Sequence, residues 1–331
     1  MKKSTRFITA FISLAIAISS FSGCDFNEEV PAIGSEESLS QSESSSLPEI
    51  SEPEITEPVP EPSVTLSSTE VSRGSFFMIR VENADLSDYS FVDFMDYERE
   101  FIATDGGWVC FVPVKMDTHP KSYDLSFRIG DFEYSEKITV TDRNVNKQYL
   151  TVAPSTLEET LEDDAVRAAF NDFFQKYRWY ETGVKFWEGE FVLPLGDYVY
   201  KETTPYGTFR EFSNGATEWH NATDMAAKGG TPIYATNSGV ILFADYLGLT
   251  GNTVIINHGM GVMSWHYHMS KLDVETGYKV EKGDLIGRVG TTGLSTGNHL
   301  HFGITVGGIF VDPMEMIGTE PDLDFWKEDA E

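Results

Sequence analysis

From Val64 onward the chain is written in short runs that alternate apolar and polar residues, closed by glycine or Asp-Gly turns, with one stretch of helical periodicity. Alternation with period two sorts side chains onto opposite faces of a strand, so a mainly β fold is the only one this pattern supports. The runs "FFMIRVE", "YSFVDFM", "WVCFVPV", "SYDLSFRI" and "FEYSEKITV" are separated by turn signals such as Asp105-Gly106-Gly107 and Gly130-Asp131. The helical stretch is "PSTLEETLEDDAVRAAFNDFFQKY", with Ser155 as N-cap and Glu158 three residues on, a capping box. Ala165, Val166, Ala169, Phe170, Phe173, Phe174 and Tyr177 give that helix a broad apolar face, read as core packing. After it the chain returns to strands in "GTPIYATNSGVILFADYL", "NTVIINHG", "GVMSWHYHM" and "GDLIGRVG", with glycines where tight hairpins require them.

These patterns predict an N-terminal β-sandwich over 64–145, a helical linker over 146–185, an antiparallel sheet domain over 186–318 and an acidic tail over 319–331. The sandwich resembles the immunoglobulin-like modules of bacterial surface proteins. It contains no catalytic cluster; its His119, before Pro120, reads as a solvated loop residue.

Residues 1–23 read as an export signal: a basic start, the apolar run "ITAFISLAIAIS", and small residues before Cys24. Ser22-Gly23-Cys24 resembles a lipoprotein lipobox, which implies that Cys24 is lipidated and held at a membrane. With only two cysteines in the chain, Cys110 is then the sole thiol and no intramolecular disulfide can form. The stretch 24–63 is rich in Ser, Glu and Pro, and from Asp25 to Pro62 it holds no Lys or Arg. Such a segment cannot bury enough apolar surface to offset its ordering entropy, and reads as a disordered tether. A net charge of −29 argues against nucleic acid as a partner.

Six of the seven histidines lie between His220 and His301, in three clusters: "EWHNATD", "SWHYHMS" and "GNHLHFG". If the last is a strand, His299 and His301 share a face, about 6–7 Å apart. Imidazoles and a carboxylate, in an exported chain without available thiols, are the donors of an open zinc site that keeps one position for water. No His-Glu-x-x-His motif, the helical signature of another class of zinc site, is present.

His220-x-x-x-Asp224, the intervening His-Met-Ser-Lys-Leu at 268–272, and His299-Leu300-His301 together closely resemble the lysostaphin-like (LytM-type) zinc endopeptidases. The lead-in "FVLPLGDYVYKETTPYGTFREFSNG" and "VETGYKVEKGDLIGRVGTTGLSTGNHLHFGI" extend the likeness over about 186–316. The resemblance implies cleavage of peptidoglycan stem or bridge peptides, one zinc held by His220, Asp224 and His301, and His268 and His299 as catalytic histidines at the scissile bond. Ala222 stands where the family often has Gly, Glu218 where it often has a basic residue, and His266 where it often has Tyr, with Tyr267 displaced by one. His266 is therefore a candidate substrate or oxyanion support, or else a surface residue; His258 reads as a turn residue. A lipid-anchored position on the outer face of a bacterial cytoplasmic membrane follows from the lipobox and tether. The rival from another class is a non-catalytic member of the same fold that binds cell wall or activates another hydrolase. A lipoyl-type carrier is disfavoured, since Lys279 and Lys282 lack the expected flanks. An adhesion role for the sandwich, with a partner that the sequence does not name, competes with a spacer role.

Overall fold

The computed structural model describes residues 60–84, 91–95, 97–104, 106–151, 164–178, 182–213 and 215–323. The export signal, Cys24, nearly all of the tether, the capping box at Ser155 and Glu158, and the end of the acidic tail lie outside the described residues. Among those described, no helix is long and apolar enough to cross a membrane.

The early alternating runs form two sheets. Strands Ser63–Leu66, Phe76–Glu82, Gly107–Pro113 and Ile102–Thr104 make one; Glu70–Ser72, Phe132–Thr141, Lys121–Ile129, Phe91–Phe94 and Tyr97–Glu100 make the other. Phe77, Ile79, Cys110 and Val112 from the first sheet meet Val92, Phe94, Leu125, Phe127 and Ile138 from the second in one buried core. His119 is exposed, in accord with its loop reading.

Period-two alternation would leave the outer face of the first sheet to solvent. Here Met78, Val109 and Phe111, the alternate residues of Phe76–Glu82 and Gly107–Pro113, join a second core with Trp187, Phe191 and the buried residues of the C-terminal sheet. Phe111 and Trp187 meet edge to face at 6.4 Å. The buried Arg99 guanidinium donates to the carbonyls of Phe111 and Gly307, and Arg143 bridges to Asp312 and Glu315. The described residues from 60 to 323 accordingly fall in one compact unit. Aromatic side chains shared in that core each contribute roughly 2–3 kcal/mol by burial, so the module is packed against the C-terminal sheet and not merely linked to it.

The C-terminal sheet runs in the order Lys201–Thr204, Thr223–Ala226, His299–Val306, Val262–Met269, Gly251–Gly259, Gly239–Leu247, Lys279–Val280. One face packs on the large core; on the other, Trp265 and Tyr267 meet Phe173, Phe174 and Tyr177 of helix Asp164–Tyr177. That is the packing expected of the helix's aromatic residues, although Ala168 and Ala169 are exposed. The segment read as a helical linker also supplies a strand, Lys147–Leu150, which pairs in parallel with Phe209–Phe212.

His258 and His266 correct their sequence readings. His258 is no turn residue: it is buried in strand Gly251–Gly259, with Nδ1 2.9 Å from the Ser238 carbonyl and Nε2 2.8 Å from the Ser264 hydroxyl. His266 is neither at the surface nor among the five clustered site residues; it lies inside the core against Phe302. Burial pushes His258 down to about 4 and His266, which also feels His258, down to about 3. In an unfolded chain both titrate near 6.5. Below that pH the unfolded state takes up protons that the folded state refuses, so stability is lost as pH falls from about 6.5 toward 4. Urea midpoints should decline through this window, with a shallower decline in His266→Phe; identical slopes for the two proteins would contradict this assignment.

Candidate metal centre

The site is set by strand register. His299–Val306 lies between Thr223–Ala226 and Val262–Met269, so that Asp224, His301 and Tyr267 fall directly opposite one another in one cross-strand row. Leu300, Phe302, Ile304 and Val306 point into the core, which leaves His299 and His301 together on the open face. His220 reaches the row from the turn before Thr223; its backbone N–H and carbonyl are held by Thr208 and Gly207.

His268 is positioned by a break in the rule. The register between Gly251–Gly259 and Val262–Met269 shifts between Asn252 and Val254, as a β-bulge does, and His268 sits at φ +62°. In a regular strand Tyr267 and His268 would face opposite sides. The bulge brings both against the same group: Tyr267 stacks on His301 with ring centroids 4.9 Å apart, and His268 lies 4.7 Å from His299 and 5.9 Å from His301. Gly290 makes room for this path, since a Cβ there would lie 2.3 Å from the Ser270 nitrogen and 2.8 Å from the His268 carbonyl oxygen.

Three donor atoms converge. His220 Nε2 is 3.1 Å from Asp224 Oδ1, His301 Nδ1 is 2.8 Å from the same oxygen, and the two nitrogens are 3.2 Å apart. Zinc bonds of about 2.0–2.1 Å in tetrahedral geometry set ligand atoms roughly 3.3–3.4 Å apart, so a small widening of this triangle would admit the ion. His220 Nδ1 lies 3.3 Å from the Pro205 carbonyl, so that with a metal bound Nδ1–H would donate to that oxygen and the Nε2 lone pair would be left to the ion. Among the described residues this is the group of three or more His, Cys, Asp or Glu side chains able to hold a metal. The donor chemistry fits zinc: two imidazoles, one carboxylate, and an open side.

His299 and His268 stand outside the triangle. Each has its Nδ1 2.8 Å from a backbone carbonyl, Gly297 for His299 and Thr292 for His268, so each ring turns Nε2 away from that bond. His299 Nε2 lies 3.8 Å from Asp224 Oδ1, beyond hydrogen-bond range but facing the cluster. Burial, reinforced by the neighbouring His301 and His299, pushes His268 down to about 3. Burial alone would raise the Asp224 carboxyl; hydrogen bonds from His220 and His301 and their charge outweigh it and hold the group well below the usual carboxylate range. The expected site residues His220, Asp224, His268, His299 and His301 are thus brought together, and His266 is not. Sequence reasoning missed Tyr267 as the ring under His301, and Arg210, whose Nη2 donates to Asp224 Oδ2 at 2.9 Å. Only the bulge and the sheet register reveal the first; a lone Arg in "FREF" gave no signal for the second.

An antiparallel sheet presenting two histidines and an aspartate as metal donors, with two further histidines beside them, defines the class of site. Residues 218–313 match the model of Peptidase family M23. It is 42% identical over 96 residues to the peptidoglycan DD-endopeptidase ShyA of Vibrio cholerae, a match over 29% of this chain and 22% of that protein. It is 40% identical over 104 residues to the DD-carboxypeptidase/endopeptidase Mpg of Neisseria meningitidis, a match over 31% of this chain and 24% of that one. The chain thus spans less than a quarter of the length of these relatives. A crystal structure of a peptidase M23 protein from Pseudomonas aeruginosa superposes with a TM-score of 0.54 at 22% identity, over 75% of this chain and 95% of that one, a likeness of fold.

A non-glycine residue in the left-handed region costs roughly 1 kcal/mol or more. His268→Gly is therefore expected to exceed His268→Ala in stability by about 0.5–1 kcal/mol in urea unfolding, although both lose the imidazole. Equal stabilities would show that the bulge stores no strain at this residue.

Proposed function

We propose that this protein is a zinc-dependent endopeptidase that hydrolyses peptidoglycan peptides at a bacterial cell surface, where a lipid on Cys24 holds it to the outer face of the membrane. The carrying observation is the convergence of His220 Nε2, Asp224 Oδ1 and His301 Nδ1 within about 3 Å of one another, with His268 and His299 beside them. The M23 match over the same residues, and relatives whose names record DD-endopeptidase action on peptidoglycan, support the substrate class. Stem peptides with D-residues are the favoured form of that substrate, with bridge peptides the alternative.

His220, Asp224 and His301 would hold zinc, which when bound polarises a scissile carbonyl and lowers the pKa of water. His299 presents a free Nε2 to that space and takes the proton of the attacking water, then returns it to the leaving amine. His268 faces the same space. To donate to a developing oxyanion it must carry a proton on Nε2, and because Nδ1 already donates to Thr292 that form is the imidazolium. Burial disfavours the imidazolium at rest, and a neighbouring negative charge is what would favour it. Arg210, Tyr267 and the backbone carbonyls of Pro205, Gly297 and Thr292 fix the rings and the carboxylate before substrate arrives.

Zinc content and muropeptide release should be measured together on the full chain. One zinc per chain and metal-dependent cleavage are expected, both lost in His301→Ala. His299→Ala and His268→Ala should retain zinc and lose about 10²–10⁴ in kcat. Zinc with no cleavage of any peptidoglycan would favour the non-catalytic binding or activator reading; near-normal kcat in either single variant would remove that histidine from the mechanism.

A further inference from the structure

The Asp224 carboxylate is divided between two tasks. Its Oδ1 belongs to the donor triangle, and its Oδ2 accepts from Arg210 Nη2 at 2.9 Å. Arg210 is in turn held on its other nitrogens: Nε donates to Gln148 Oε1 at 3.2 Å, and Nη1 lies 3.4 Å from Glu218 Oε1. Backbone register enforces the arrangement. Gln148 is the parallel partner of Arg210, and Glu218 its antiparallel partner, so the three residues form one row across strands Lys147–Leu150, Phe209–Phe212 and Thr217–Trp219. Gln148 and Arg210 both precede the segment 218–313 that matches the family model.

We infer that Arg210 is a positioning residue that keeps Asp224 a one-oxygen ligand aimed at the metal, and that Gln148, from the segment leading to the helix, orients Arg210 for that task. The inference rests on His220, Asp224 and His301 being the metal ligands. The physical reason is geometric. A carboxylate free to rotate about its Cβ–Cγ bond can offer both oxygens to a cation or to the neighbouring histidines. A guanidinium on Oδ2 removes that freedom, and because Arg210 is only 16% exposed and Asp224 only 9%, water does not readily substitute for it. Partners of this kind, one bond beyond the ligand, commonly account for 10–100-fold in metal affinity. Among the described residues, the strand Lys147–Leu150 reaches Asp224 through Gln148 and this guanidinium.

The test is zinc affinity of the full chain by competition with a chromogenic chelator, alongside apo-protein stability. Arg210→Ala is expected to weaken zinc binding by about 10–100-fold. Arg210→Lys, which offers one charge and no fork, should recover only part of the loss. Gln148→Ala should weaken binding severalfold, and Gln148→Glu, which keeps an acceptor for Nε, should restore it. Gln148 carries a half-buried side chain away from the donors, so its variants report on positioning even if Arg210→Ala fails to fold. A merely structural role would lower apo stability and leave zinc affinity unmoved; that result in both the Arg210 and the Gln148 variants overturns the inference. Absence of zinc binding in the unsubstituted chain would instead overturn the ligand reading on which it stands, and the inference with it.

Discussion

Everything in the site hangs on the pairing of one strand, His299–Val306, between Thr223–Ala226 and Val262–Met269. Hydrogen-bonded register sets Asp224, His301 and Tyr267 in line, so a donor carboxylate, a donor imidazole and the ring that supports it are placed by backbone bonds rather than by flexible loops. A slip of one residue would turn His299 and His301 into the core and bring Leu300 and Phe302 to the open face. The four apolar residues that alternate with the histidines make that slip prohibitive, since each loses on the order of 1.5–3 kcal/mol when exposed.

The same logic of two-sided strands joins the modules. Phe76–Glu82 and Gly107–Pro113 are buried on both faces, one inside the sandwich and the other against the core beneath the C-terminal sheet. The strand Lys147–Leu150 adds a second connection, because it completes the small sheet that carries Arg210. The C-terminal sheet is thereby tied to sequence that precedes it at two places: a hydrophobic face beneath it, and a polar row at the donor cluster.

Burial also divides the histidines by chemistry. His258 and His266, enclosed in the core, are held neutral by desolvation and serve as hydrogen-bonding and packing residues. His268 is held neutral for the same reason but lies against His299 and His301, in a backbone conformation that only a bulge imposes. Residues of one type, two positions apart in "SWHYHMS", thus have unrelated roles, and the difference is the irregularity between them.

The sequence by itself determined the mainly β fold, the strands of the sandwich and the three histidine clusters, which a family resemblance joined into one group of five site residues. Period-two alternation and the spacing of donor-bearing side chains are local properties that survive in one dimension. It could not show that the outer face of the first sheet is buried, since a continuous apolar run reads alike whether one face or two are covered. Nor could it separate His266 from His268, because a single residue inserted opposite Thr253 turns His268 to the other face and leaves no trace in composition. The tertiary structure alone decided which oxygen of Asp224 faces the metal donors and which faces Arg210, because that partition depends on strands brought together from 147–150, 209–212 and 223–226.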